Sequence, residues 1–209
     1  MVNDYSHSLQ MKGCVMRSFM ILLIALTLTA QKVEACDIRG DQVQVTSLDE
    51  FETKHGKNML CSDRDYAEFP VLKKLARDDI GEVWCVERSM LSAGEAGTIA
   101  NIKAKTYYIF FNKKLISIAS SFSSSDFNQM KTSFIQKWGE PSTNTTEVYS
   151  NGFGAVFKGE QLSWAKDSCT IALSQYGKKI DESVVGITSF MMEEYLNAKK
   201  KTPKPSPDL

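Results

Sequence analysis

The sequence predicts an α+β fold: an antiparallel meander sheet with one main amphipathic helix (about 126–138) packed on one face, plus a short N-terminal helix and a C-terminal helix. Three observations carry this expectation. The runs "TYYIFF" and "LISIASSF" flank a short polar turn, "SSSDFNQMKTSFIQKWGEPS" repeats apolar residues at helical spacing, and the chain after Thr146 alternates short β-rich runs with turn residues.

The chain begins with a segment of another kind. Lys12 and Arg17 precede an apolar run over residues 19–28. That run is about half the length a membrane-spanning helix needs, and small and polar residues follow it, which reads as a cleaved export signal over residues 1–35. Residues 1–10 are acidic and polar, unlike the start of a leader, so Met11 or Met16 is a candidate for the true start. Val33 and Ala35 are the small residues at alternate positions that a signal peptidase accepts, which places the cut before Cys36. Two alternatives stay open: an uncleaved anchor, and a lipoprotein held through Cys36. A lipoprotein signal brings its cysteine close to the apolar run, whereas Gln31, Lys32 and Glu34 separate Leu28 from Cys36 here. The expected location is periplasmic or secreted.

Removing the leader discards Cys14 and leaves Cys36, Cys61, Cys85 and Cys169. An even set in an exported chain reads as two disulfides, with three connectivities open. Pairing Cys61 with Cys85 would close the least regular part of the chain, and pairing Cys36 with Cys169 would fasten the new N-terminus to a predicted strand. Residues 36–200 then have the size of a single α+β domain, and the proline-rich stretch 201–209 reads as a disordered tail. Lys+Arg and Asp+Glu each total 25. That balance, with no stripe of basic and aromatic residues, argues against nucleic acid as a partner.

In order along the domain, "SLDE" at residues 47–50 is a capping box that opens a helix over 47–55, which Gly56 stops. In "DYAEFPVLKKLARDD", Phe69, Leu72, Leu75 and Ala76 fall at helical spacing, "GEVWCVE" reads as a strand, and "SAGEAGT" as a loop. Asn112, Lys113 and Lys114 form the turn of a hairpin. In its second strand Ile116, Ile118 and Phe122 are expected on one face and Ser117, Ala119 and Ser121 on the other. Asp126 or a preceding serine caps the main helix, whose stripe is Phe127, Met130, Phe134 and Trp138, and Gly139 with Pro141 ends it. The meander then has turns at Asn151-Gly152, Lys158-Gly159, Lys166-Asp167 and Gly177. "FMMEEYLNAKKK" closes the domain as a helix, offering Phe190, Met191 and Tyr195 for burial.

No motif brings chemistry. His55 is the one histidine after the leader, at a helix end where the dipole already explains a cation-capable residue, and no G-x-S-x-G accompanies it. No C-x-x-C spacing suggests a metal, "DRDYAE" lacks the glycine and final glutamate of a calcium loop, and no glycine-rich loop follows a strand. The acidic pairs Asp63 with Asp65, Asp78-Asp79, Asp181-Glu182 and Glu193-Glu194 read as solvated faces. No catalytic, cofactor-binding or metal-ligating residue is therefore assigned.

"FFNKKLISIASSF", "FIQKWGEPS" and "QLSWAKDSCTIALSQYG" resemble a group of small exported α+β proteins of proteobacteria, over roughly residues 106–189. The helix-to-"GEP" step is also similar to small envelope-assembly lipoproteins and β-lactamase-inhibitor proteins. That resemblance implies binding of other proteins without catalysis, and it carries no functional residues across. The expected function is a non-enzymatic exported module that binds an unknown protein or envelope component. The alternatives are a hydrolase using His55 with a serine or an acidic residue, and a carrier of a small apolar ligand between helix and sheet, lined by Phe153, Phe157, Trp164 and Tyr176.

Overall fold

The computed structural model describes residues 36–62, 78–88, 97–150 and 154–201. They all belong to one compact unit, Glu34–Leu209. The leader, the helix expected around Phe69–Ala76 in "DYAEFPVLKKLARDD", most of "SAGEAGT", the Asn151-Gly152 turn and the last eight residues lie outside the described residues.

The fold is α+β, and most of it is one antiparallel sheet. The strands are β1 (Asp37–Ile38), β2 (Asp41–Gln42), β3 (Met59–Cys61), β4 (Glu82–Glu87), β5 (Thr98–Ile99), β6 (Ile102–Phe111), β7 (Lys114–Ser123), β8 (Thr143–Ser150), β9 (Val156–Ala165), β10 (Cys169–Ser174) and β11 (Glu182–Ser189). The helices are α1 (Leu48–His55), α2 (Phe127–Trp138) and α3 (Met192–Lys201). The large sheet runs β3-β4-β6-β7-β11-β10-β9-β8, with β5 added on β6. After α2 the chain crosses to the far edge, and β8 to β11 walk back strand by strand until β11 pairs with β7. The meander thus closes onto the hairpin that precedes it in sequence.

Local chemistry sets the elements. Ser47 and Glu50 form the expected capping box at α1: Ser47 Oγ accepts from the Glu50 amide, and Glu50 accepts from the Ser47 amide at 2.9 Å. That amide, together with the Ser47 hydroxyl that also lies 2.8 Å from Glu50 Oε2, holds the Glu50 carboxyl below its ordinary pKa. The β6–β7 turn consists of Asn112 and Lys113, both at positive φ (48° and 62°), the backbone of a two-residue hairpin turn, so Lys114 already belongs to β7. Ser123 accepts from the Ser125 amide ahead of α2, while Asp126, at the N-cap, makes no side-chain cap bond. At the other end of α2, the Trp164 indole donates to Gly139 O (2.8 Å) and Lys166 Nζ to Trp138 O (3.0 Å), so tertiary partners satisfy its last carbonyls.

The main core lies between the sheet and the helices α1 and α2. Phe127, Met130, Phe134 and Trp138 are all buried there, as the stripe predicts, and Trp138 meets Phe134 edge-on at 4.6 Å. Phe51 of α1 packs on Tyr108 and Phe110. Both bridges anchor this core: Cys36 with Cys169 (Cα–Cα 6.3 Å) and Cys61 with Cys85 (Cα–Cα 4.1 Å), the second joining directly opposed residues of β3 and β4. This is the covalent form of a chain in an oxidising environment.

Three expectations change. Lys158-Gly159 is no turn, because β9 runs unbroken through it. Gly159 is extended there and lies beneath the rings of Tyr176 and Tyr149, where a β-carbon would fall 2.6 Å and 3.1 Å from them. Ile116 does not share a face with Ile118. Ile109 pairs Ser117 while Phe110 pairs Leu115, so Ile116 is the extra residue of a β-bulge and joins Phe111 and Tyr195 in a separate cluster under α3. The sheet thus carries α1 and α2 on one face and α3 on the other. Phe190 is 58% exposed, because Tyr195 is the residue that α3 buries.

Candidate functional site

His55 stands at the C-terminal end of α1, its ring against Phe51 at 4.4 Å. Its Nε2 donates to Asp41 Oδ2 at 2.9 Å, and Lys54 Nζ donates to Asp41 Oδ1 at 2.8 Å. Asp41 is fully buried, so both of its oxygens are satisfied where a lone carboxylate would be costly. Around this pair, Arg39 bonds Glu87 and donates from Nε to Thr98 O at 2.8 Å, and Glu87 accepts from the Gly97 amide. Tyr108 is buried beside them. Burial pushes its phenol up to about 12, Asp41 adds to that, and Arg39 opposes it. The phenol interacts with Arg39 but makes no hydrogen bond of normal geometry. Chemically this knot clamps the β1–β2 hairpin to α1 and the sheet. Its His–Asp pair has the base half of a hydrolytic site, and among the described residues no hydroxyl or thiol is bonded to His55.

A second buried acid lies on the opposite face. Glu82 is fully buried at the start of β4, and its Oε1 accepts from the Trp84 indole, from Tyr195 OH (2.6 Å) and from Lys199 Nζ (3.2 Å). Tyr195 and Lys199 are one helical turn apart in α3, so this carboxylate is where α3 meets the sheet.

The third feature is an open surface. On the face away from α2, the register brings Tyr107, Ala119, Gly186, Ala172, Ser163 and Thr143 into one row across β6, β7, β11, β10, β9 and β8. Apart from Tyr107 these side chains are small, and none is buried. The row ends at β8, whose outer edge pairs with no strand among the described residues. Seven of its eight residues are exposed, and Tyr149 is half-buried. The strand holds neither lysine nor proline, the residues that usually blunt an edge, and Glu147 is its one charge. Val148 (66% exposed) and Val156 (64%) are diagonal neighbours at the far end of the β8–β9 ribbon.

A groove of about 610 Å³ opens at the start of β6, between Lys103, Lys105 and Lys179 on one hand and Asp126, Asp181 and Glu182 on the other. Its charges balance. The expected acidic pair Asp181-Glu182 therefore lies at a groove rim, whereas Glu193-Glu194 occupies the exposed first turn of α3. Asp63 and Asp65 lie outside the described residues, as does Phe153. Phe157 and Trp164 are seven residues apart on one unbroken strand and so point to opposite faces. Trp164 is in the α2 core, and Tyr176 meets Tyr149 edge-on. The aromatic residues expected to line a ligand cavity are thus not brought together. Among the described residues no group of three or more metal-ligating side chains converges, and no helix is long and apolar enough to cross a membrane.

Compared with family models, with curated proteins and with solved structures, the chain matches none. Sequence reasoning missed Asp41, Glu82 and Tyr108, which carry no local motif. The edge was partly visible: "TNTTEVYS" has a single aliphatic residue and no buried-face alternation, as a strand exposed on both faces should.

Proposed function

We propose that the mature chain is a non-enzymatic exported module that binds a partner protein by strand addition: an extended segment of the partner pairs with the free edge of β8. The exposed, nearly uncharged edge at Thr143–Ser150 carries this reading. Main-chain hydrogen bonds would supply affinity, and the side chains on either side of the new strand would supply selectivity. A fitting segment has an apolar residue beside Val148 and a cation beside Glu147. The leader and the two bridges support a periplasmic or secreted location, and the likeness of "FIQKWGEPS" and its neighbours to small exported proteobacterial proteins supports a binding role.

The test places a photo-crosslinking residue at Thr146 and, separately, at Glu193 on α3, and compares wild-type edge sequence with Val148→Lys. Expected is one partner linked from 146, through a peptide of β-forming sequence, and lost in Val148→Lys. Linking from 193 alone, or capture that survives Val148→Lys unchanged, would show that β8 is not the docking edge.

The Asp41–His55 bond favours a second reading, hydrolysis with His55 as base. A panel of ester and peptide substrates decides it: turnover that disappears in both His55→Ala and Asp41→Asn would establish an activity, and equal background for all three proteins would remove it.

A further inference from the structure

The C-terminal helix is attached in an unusual way. Of the ten residues of α3, one side chain, Tyr195, is buried, while Met192 and Ala198, and Met191 just ahead of the helix, are partly covered. Its fastening is polar and concentrated on one atom. Glu82 Oε1 accepts from Tyr195 OH, Lys199 Nζ and the Trp84 indole, Lys199 Nζ also donates to Tyr195 OH at 2.7 Å, and Glu82 Oε2 is buried with no hydrogen-bond partner among the described residues. A buried carboxylate with one oxygen crowded and the other empty is a half-satisfied network, and such networks give little net stabilisation. Beneath the helix the surface is apolar: Phe111 and Ile116 are buried there, with Ile80 and Ile109 beside them. The β-bulge is what turns Ile116 to this side. α3 leaves Leu196 46% exposed, and Phe190, ahead of the helix, is exposed too.

We infer that α3 is a releasable strap, fastened to the sheet through Glu82, whose opening uncovers an apolar strip of Ile80, Ile109, Phe111 and Ile116. The strip lies on the same face as the row of small residues from Tyr107 to Thr143 and continues it. Opening therefore extends the apolar end of a face otherwise lined by small side chains, and frees an amphipathic helix that carries Leu196 and Met192. Regions held by few apolar contacts are the ones that open below the global unfolding free energy. The inference does not depend on strand addition at β8, and its test needs no partner.

Hydrogen exchange on the full mature chain decides it, with wild type, Glu82→Gln and Lys199→Met compared. In wild type the amides of Met192–Lys201 should exchange by a separate opening, at least about tenfold faster than those of β6 and β7. Each variant should lower protection in α3 by a further five- to tenfold and leave β6, β7 and β10 unchanged. If Glu82→Gln does not fold, Lys199→Met alone carries the comparison, since Lys199 sits at the surface end of the cluster. Exchange of α3 in step with the central strands would overturn the inference, as would an equal loss of protection across the whole sheet in Lys199→Met. An α3 already unprotected in wild type would overturn it too, since nothing would then be fastened.

Discussion

Tyr176 lies over Gly159 on the neighbouring strand so closely that a β-carbon at 159 would fall 2.6 Å from its Cδ2 atom. The glycine is where a strand takes an aromatic cover, and Tyr149 meets Tyr176 edge-on at 5.6 Å above it. The contact ties the β10–β11 turn region to the β8–β9 ribbon that presents the open edge.

Gly159→Ala should therefore destabilise the domain by about 1–3 kcal/mol, the usual cost of forcing a methyl into filled space. The same change made in a Tyr176→Ala background should cost less, with a coupling of roughly 1 kcal/mol between the two sites. Chemical denaturation of the four proteins measures it. Strict additivity would mean that the ring does not press on the glycine.

Trp138→Ala should cost about 3–5 kcal/mol, the range for removing a large aromatic from a core. Trp138 is 5% exposed and touches both Phe134 and Trp164. An unchanged unfolding midpoint would contradict the orientation of α2.

Tyr108 makes the domain sensitive to alkali. Its phenol is pushed up from 10.0 to about 12, chiefly by burial, so the unfolded chain ionises first. That contribution to stability is complete below pH ~10 and is lost as the pH rises from ~10 to ~12, by roughly 3 kcal/mol in all. A tyrosinate absorbance titration should show one late phenol that is missing in Tyr108→Phe. The variant should also keep more of its stability between those pH values than the wild type does.

The two bridges close loops of very different length, with sequence separations of 133 for Cys36 with Cys169 and 24 for Cys61 with Cys85. On the chain-entropy model, removing the first pair with serine should cost about 5 kcal/mol and removing the second about 3 kcal/mol. Non-reducing peptide mapping should recover both linked pairs. Because the sulfur of Cys36 is in the bridge, a thioether lipid on it is excluded wherever the bridge forms. A diacylglyceryl adduct in the intact mass of the protein would contradict this pairing.

Where one short-range rule governs an element, it could be read directly from the sequence. The capping box at Ser47 and Glu50 needs four residues. The α2 stripe from Phe127 to Trp138 needs a 3.6-residue period, and the β6–β7 hairpin needs two β-rich runs around a polar turn. The disulfide set was read from parity and from the position of Cys36 after an expected export signal. The candidate edge was visible only as an unusual lack of apolar residues in "TNTTEVYS".

What the sequence by itself determined is the inventory: an α+β domain built on antiparallel strands, its main helix and buried face, and an oxidised set of four cysteines. Only the tertiary structure decided the rest, because those features depend on residues far apart in the chain. Lys158-Gly159 has the local chemistry of a turn and becomes strand because Tyr149 of β8 and Tyr176 of the β10–β11 connection arrive to cover it. Ile116 changes sides because the register of β6 against β7 leaves it without a partner, which no alternation pattern within β7 can encode. Asp41 meets His55, and Glu82 meets Tyr195 and Lys199 across more than a hundred residues, because burial makes a carboxylate take whichever donors the packed elements bring to it. The outer edge of β8 is left without a partner strand among the described residues because β11, not β8, pairs with β7, an outcome set by how the last four strands fold back and not by any residue in the edge itself.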